Sequence, residues 1–348
     1  MPTSFNYSVK VFDPATTGVD TIVPTISGAD SIAVLQAAPF TFTKLPLATA
    51  YDVRARERTA MTIDGAENGL NNWLTTTSGQ YNLFVSSPVA AGSKAYHIAH
   101  LGNRLQSITT AAPLYVRSGA TLNFSSKLGI ATVSEFARVK ISTDGGTTYT
   151  EVFSRQGTGT TVADPTYQSI SIPLTAYVGS VITVKFAFES LSTFFNSAAN
   201  DFGWYFDEIN FVNVDQLKNP STFTASLNGS FNFIPLLAGG YALEVRPQLY
   251  DEFPLDWGPI KAITAFVDNS PRIEFLANTT LGDATLKMDF NTQNLAGGAV
   301  LQLIKASSVN GPWSVESGAT FEAVGGNTQR VTIPWNADPT TVYRIQAN

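Results

Sequence analysis

The sequence predicts an all-β protein, built as tandem β-sandwich domains with a central jelly roll. Three observations carry that prediction. Thr, Ser, Gly, Asn, Val and Phe dominate, and the Glu/Lys/Leu/Ala runs of long helices are missing. Short stretches that alternate apolar and polar residues recur along the chain, as in Phe136-Ala-Arg138-Val139-Lys-Ile141 and Val181-Ile-Thr-Val184-Lys-Phe186. Turn residues separate them, Gly, Asn and Pro above all. With 44% hydrophobic and 14% charged residues the chain can fill real cores, and 348 residues suit two to four domains.

Taken in order, residues 5 to 12 read as a strand, followed by short strands near Thr21 to Ile26 and Ser31 to Leu35. The run from Phe40-Thr-Phe42 through Leu45-Pro46 and Thr49 to Tyr51-Asp-Val53-Arg54 resembles the E–F corner of fibronectin type III domains. In such sandwiches a tyrosine at a strand start bonds back to the preceding turn, so Tyr51 reads as structural. A related pattern returns at Phe231-Asn-Phe233, Pro235-Leu236-Leu237, Tyr241 and Val245-Arg246, and continues through Trp257-Gly258-Pro259 into a last strand at Lys261 to Val267. Residues 1–60 and 215–267 are therefore expected to be two similar β-domains from a diverged internal repeat. Both are short for a seven-stranded sandwich, so the first lacks a strand or borrows one from its neighbour.

Residues 61–214 form the largest unit. It opens on Asp64-Gly65-Ala-Glu67-Asn68-Gly69 with Trp73, and closes on Gly203-Trp204-Tyr205-Phe206-Asp207-Glu208-Ile209. These motifs resemble the MAM-like jelly roll found behind immune-inhibitor-A-type peptidases and in secreted bacterial proteins, though no peptidase sequence accompanies them. The resemblance implies a double-sheet jelly roll and export from the cell. Within the unit, Ser142-Thr-Asp144-Gly145-Gly146-Thr-Thr148-Tyr149 fits an Asp box with Tyr in place of Trp, a hairpin in which Asp144 bonds backbone amides. Residues 268–348 carry further short strands between Gly-rich turns and read as a C-terminal β-sandwich.

Composition excludes several functions. The net charge of −6 comes without blocks, and 21 scattered basic residues leave no patch for nucleic acid. No apolar run approaches eighteen residues, so no membrane span is expected. With no cysteine, disulfides and thiolate chemistry are absent. The opening Met1-Pro2-Thr3-Ser4 has neither the basic start nor the apolar core of a signal peptide.

Few residues are left to carry chemistry. His97 and His100 face opposite sides of a strand and lack the Glu of a zinc-protease motif, so His97 reads as a packed residue. No Gly-x-Ser-x-Gly elbow or P-loop occurs. The pairs Asp207/Glu208 and Asp251/Glu252 are adjacent on strands and point apart, unlike glycosidase carboxylates facing across a cleft. The jelly-roll resemblance implies a calcium ion where first and last strands meet, with Asp64, Glu67 and Asp207 as ligands; the plainer alternative is that they bond backbone amides. Trp73 and Trp204 belong to the core, whereas Trp257 and Trp313, in turn-rich segments, are the candidate ligand-binding platforms, or domain-interface plugs. The expected role is a non-catalytic extracellular or cell-surface protein of a bacterium that binds a glycan, a protein or copies of itself. The alternatives are an accessory module of a secreted hydrolase and a self-assembling structural subunit, since open sandwiches offer strand edges.

Overall fold

A computed structural model describes residues 24–347 apart from 46–47, 62, 78–81, 103–104, 160, 250–252, 269–271, 283, 296–298 and 335–340. The strand expected over 5–12, the pair Asp251/Glu252 and Trp335 lie outside the described residues. The regular secondary structure of the described residues is nearly all strand, with one short 3-10 turn at Thr175–Tyr177. No helix among the described residues is long and apolar enough to cross a membrane. The chain divides into two compact units, Met1–Phe266 and Val267–Asn348.

The jelly roll fills the middle of the first unit as two antiparallel sheets. One runs Thr150–Gln156, Glu135–Ser142, Val181–Ser190, Leu105–Thr110 and Trp73–Thr76. The other runs Phe84–Val85, Ala95–Ile98, Trp204–Ala225, Leu114–Leu128 and Gln168–Pro173. Alternation along these strands sends Phe124, Phe186, Trp204 and Phe206 into one core with Trp73 and Tyr96. Phe186 stacks on Phe206 at 4.9 Å between centroids and meets Trp73 edge-on at 5.7 Å.

Around Asp207 the strand departs from simple alternation. Glu208 takes a left-handed φ of +51°, and the register with Leu114–Leu128 slips between Asp207 and Asn210. The bulge inserts an extra residue, so Ile209 joins Trp204 and Phe206 in the core instead of facing away with Tyr205 and Asp207. The sequence pattern alone places Ile209 on the opposite face.

Residues 1–60 and 215–267 are a correction to the two-domain expectation. Their described strands build a single sandwich. Ala38–Phe42 pairs antiparallel with Ser230–Phe233, and Ala50–Ala60 with Gly239–Leu249. Phe40, Phe42, Tyr51, Val53, Phe231, Phe233, Tyr241 and Val245 share one hydrophobic cluster, with Phe40 stacked on Phe231 at 5.4 Å. The two copies of the repeat are thus halves that complete each other, because neither alone can cover its apolar face. Each half keeps its tyrosine corner. The Tyr51 hydroxyl accepts from the Leu45 amide at 2.6 Å, and the Tyr241 hydroxyl donates to the Leu237 carbonyl at 2.9 Å.

No linker separates the jelly roll from this sandwich. The 22-residue strand Trp204–Ala225 pairs with Leu114–Leu128 over its first part and with Ala50–Ala60 over its second. The boundary expected at 214/215 therefore falls inside a continuous strand. The second unit is a small sandwich of its own. One sheet runs Arg272–Gly282, Thr285–Gln293, Thr328–Pro334 and Thr320–Gly325; the other runs Ser314–Val315, Leu301–Ala306 and Val342–Ala347. Met288, Phe290, Leu303, Val331, Ile333 and Ile345 fill it.

Candidate functional site

The site grows from the outer face of the paired strands Ala50–Ala60 and Gly239–Leu249. Inward positions Tyr51, Val53 and Ala55 feed the core, so Asp52, Arg54, Arg56 and Arg58 point outward, next to Glu244 and Arg246 of the partner strand. Register sets the ion pairs. Arg246 opposes Asp52 and bonds it at 2.9 Å; Arg54 opposes Glu244 and grips it with two bonds of 2.9 and 3.0 Å. Arg56 adds a third bond to the Glu244 carboxylate at 2.7 Å. Arg58 turns to Asp215 at 3.1 Å and to the carbonyls of Tyr241 and Ile263.

Trp257 lies across this ladder. The backbone before and after it is pinned by Leu255 donating to the Pro247 carbonyl and Gly258 donating to Val245, at 3.0 and 2.9 Å. A side chain at 258 would meet the Pro24 carbonyl oxygen at 2.2 Å, so only glycine permits so close an approach. The half-buried indole is thereby held with the guanidinium carbons of Arg54 and Arg246 at 4.2 and 4.6 Å from its centroid.

Trp257, Arg54, Arg56, Glu244 and the exposed Asp256 line one wall of a cleft of about 930 Å³. The jelly roll supplies the other wall through the Asp-box hairpin and Tyr149. That hairpin is held from within. Asp144 accepts from the Ser142 hydroxyl at 2.7 Å, the Thr147 amide at 3.0 Å and the Thr148 hydroxyl at 2.6 Å, while Gly145 and Gly146 take φ of +73° and +97°. Bonds from the Thr148 and Ser142 hydroxyls hold the Asp144 carboxyl far below the ordinary carboxylate range. The Tyr149 ring is covered on one side by the Lys185 ammonium, 3.7 Å from its centroid.

The three carboxylates expected to hold calcium do not form a group. Asp64 is saturated: Oδ1 accepts from the Ala66 amide at 3.1 Å and the Tyr96 hydroxyl at 2.8 Å, Oδ2 from Asn72 at 3.2 Å and from Trp73 Nε1 at 2.8 Å. Glu67 accepts from the Ser93 amide and hydroxyl, both at 2.7 Å, and from the Lys94 amide at 2.9 Å. Asp207, fully buried, accepts from the Ala90 and Ala91 amides at 2.9 and 3.2 Å and from Glu208 at 2.7 Å. Among the described residues no three acidic or histidine side chains are placed to share a metal ion. Each of the three carboxylates already accepts from protein N–H or O–H donors, so these residues do not fit the ion that the jelly-roll resemblance implies, and they act as strand ties.

Both histidines are buried. His97 stacks on Tyr205 at 4.4 Å, and its Nε2 donates to the Phe202 carbonyl at 2.7 Å; burial pulls its pKa below the ordinary value, against that bond. His100 stacks on Phe188 at 4.5 Å with Glu135 3.6 Å away, and desolvation pushes the Glu135 carboxyl up. Trp73 and Trp204 belong to the core, and Trp204 Nε1 donates to Ser126. Trp313 is half-buried in the second unit, beside Gly311. Of the aromatic candidates, Trp257 is the one on the cleft. Arg56, Glu244 and Tyr149 were not assigned to a site from sequence. The outward period-two series Asp52-x-Arg54-x-Arg56-x-Arg58 was the available signal.

No family model matches the chain, and no curated protein matches it. Among solved structures, a carbohydrate-binding module of the β-sandwich superfamily described for its promiscuous specificity is 10% identical, with a TM-score of 0.29. The match covers 55% of this chain and 98% of that one.

Proposed function

We propose that this chain is a non-catalytic binding protein of the bacterial cell exterior, and that it captures a glycan in the cleft between jelly roll and sandwich. The observation that carries the reading is the position of Trp257. A half-exposed indole, fixed by its backbone and by two arginines, shares one concavity with guanidinium and carboxylate groups. Sugar rings are bound in this way, with C–H faces on an aromatic plane and hydroxyls on fixed polar side chains. The paired carboxylates Asp207 and Glu208 stand elsewhere, Asp207 tied to Ala90 and Ala91, which supports binding over hydrolysis.

The test is a glycan array read with the wild-type protein and with Trp257→Ala, both confirmed folded by circular dichroism. The expected result is a defined set of positive glycans whose signal drops about tenfold or more in the variant, the scale of a lost aromatic anchor. A wild-type protein blank across the array, or a variant that binds as well, refutes the reading.

A further inference from the structure

The charge ladder that holds Trp257 does not balance. Asp52 is matched to Arg246, and Asp215 to Arg58 with Arg117 at 3.2 Å. Glu244 alone serves both Arg54 and Arg56. Arg54 takes the two-pronged grip, and Arg56 keeps one bond through a single terminal nitrogen. Yet Arg56 is the more deeply buried of the two, its side chain 7% exposed against 23%. Its Nε is buried and has no hydrogen-bond partner among the described residues. Burial pulls its guanidinium below the ordinary range and Arg54 adds to that, while Glu244 opposes both. A guanidinium offers five donors, and leaving buried ones unmet costs free energy unless an acceptor arrives.

Arg56 lines the cleft. Of the cleft's other carboxylates, Asp144 is engaged by its own hairpin, and Asp256 is exposed, so water screens it. We infer that the cleft takes an acidic saccharide, whose carboxylate or sulfate ester pairs with Arg56 while its ring lies against Trp257. The inference rests on the glycan reading above and names the class of sugar. An anion at Arg56 gives the under-paired guanidinium an acceptor of its own, so that Arg54 and Arg56 no longer share the single carboxylate of Glu244. Arginine suits both ligand chemistries, since its planar fork matches carboxylate and sulfate oxygens alike.

Calorimetry with polymers that differ in one property at a time separates the possibilities. The probes are polygalacturonate, the same polymer with its carboxyls reduced to alcohols, dextran sulfate, neutral dextran, and polyacrylate as an anion without sugar rings. The inference predicts that polygalacturonate or dextran sulfate binds at least about tenfold more tightly than its neutral counterpart, one strong charge-assisted contact. Whichever of the two wins identifies carboxylate or sulfate as the ligand group. Arg56→Gln is expected to remove that preference. Because that change also loosens Glu244, Arg56→Lys serves as a folded control that keeps the charge and recovers part of the preference. Equal binding of acidic and neutral forms, both lost in Trp257→Ala, overturns the acidic inference and keeps the glycan reading. Polyacrylate binding as tightly as polygalacturonate keeps the anion site and removes the sugar. No binding of any acidic polymer overturns the inference outright.

Discussion

Replacing Asp64 by Asn tests whether this carboxylate is a strand tie rather than an ion ligand. Four donors converge on it, two on each oxygen: Ala66 N–H and the Tyr96 hydroxyl on Oδ1, Asn72 Nδ2 and Trp73 Nε1 on Oδ2. Burial, then the charge of Asp64, holds the Tyr96 phenol far above its ordinary range, so it remains a donor. Asn has the same shape but only one oxygen. Whichever way its amide turns, two donors face an N–H₂ group in a site where Asp64 is 7% exposed. Each bond to the charged oxygen is worth about 1.5–3 kcal/mol, so losing two removes roughly 3–6 kcal/mol. If the amide faces Tyr96, its hydroxyl can turn wholly to the Gly69 carbonyl at 3.2 Å, which puts the loss near the lower end, about 3–4 kcal/mol. At about 2–4 °C per kcal/mol for a unit of this size, the melting midpoint drops by roughly 6–16 °C. Urea unfolding followed by tryptophan fluorescence measures it directly, with Trp73 beside the substitution. A loss under about 1 kcal/mol refutes the four-donor account, since a single neutral bond is worth that much. The companion experiment titrates calcium into EGTA-stripped wild-type protein. The midpoint is expected to stay put at millimolar calcium, and a rise would show an ion displacing these donors.

Two further predictions follow from the buried rings. Because burial lowers the His97 pKa, the unfolded chain takes up a proton below about pH 6.5 that the folded protein resists. This histidine's contribution to stability is therefore full above that pH and shrinks as pH falls toward 5. His97→Gln should flatten the slope of unfolding free energy against pH in that window; an unchanged slope removes His97 as its source. Tyr51→Phe should cost about 1–2 kcal/mol by stranding the buried Leu45 amide, and Tyr241→Phe less, because its Leu237 bonds are part-buried. Equal losses in chemical denaturation would contradict the ranking.

The all-β class and the aromatic core around Trp204 and Phe206 were legible because both rest on local properties: strand propensity, period-two alternation and turn residues. The tyrosine corners were legible for the same reason, each spanning only four to six residues of chain. The repeat was visible too, but not what it does. That Phe40 pairs with Phe231 and Val53 with Val245 joins residues roughly 190 positions apart, and alternation says which face a side chain takes, never which strand lies beside it. The bulge at Glu208 was hidden because an extra residue in one strand is defined only against its partner, and it moved Ile209 to the other face.

The sequence by itself thus determined the strand content, the buried aromatics and the choice of Trp257 as an available indole. The tertiary structure alone decided that Asp64, Glu67 and Asp207 meet amide and hydroxyl protons rather than one another. It also decided that Trp257 lies over Arg54 and Arg246, and that Arg56 shares its carboxylate. The physical reason is common to all of these. Whether a carboxylate faces a donor or a cation, and whether an arginine has its own partner, depends on strand register across the sheet, and register is set by the whole packed core.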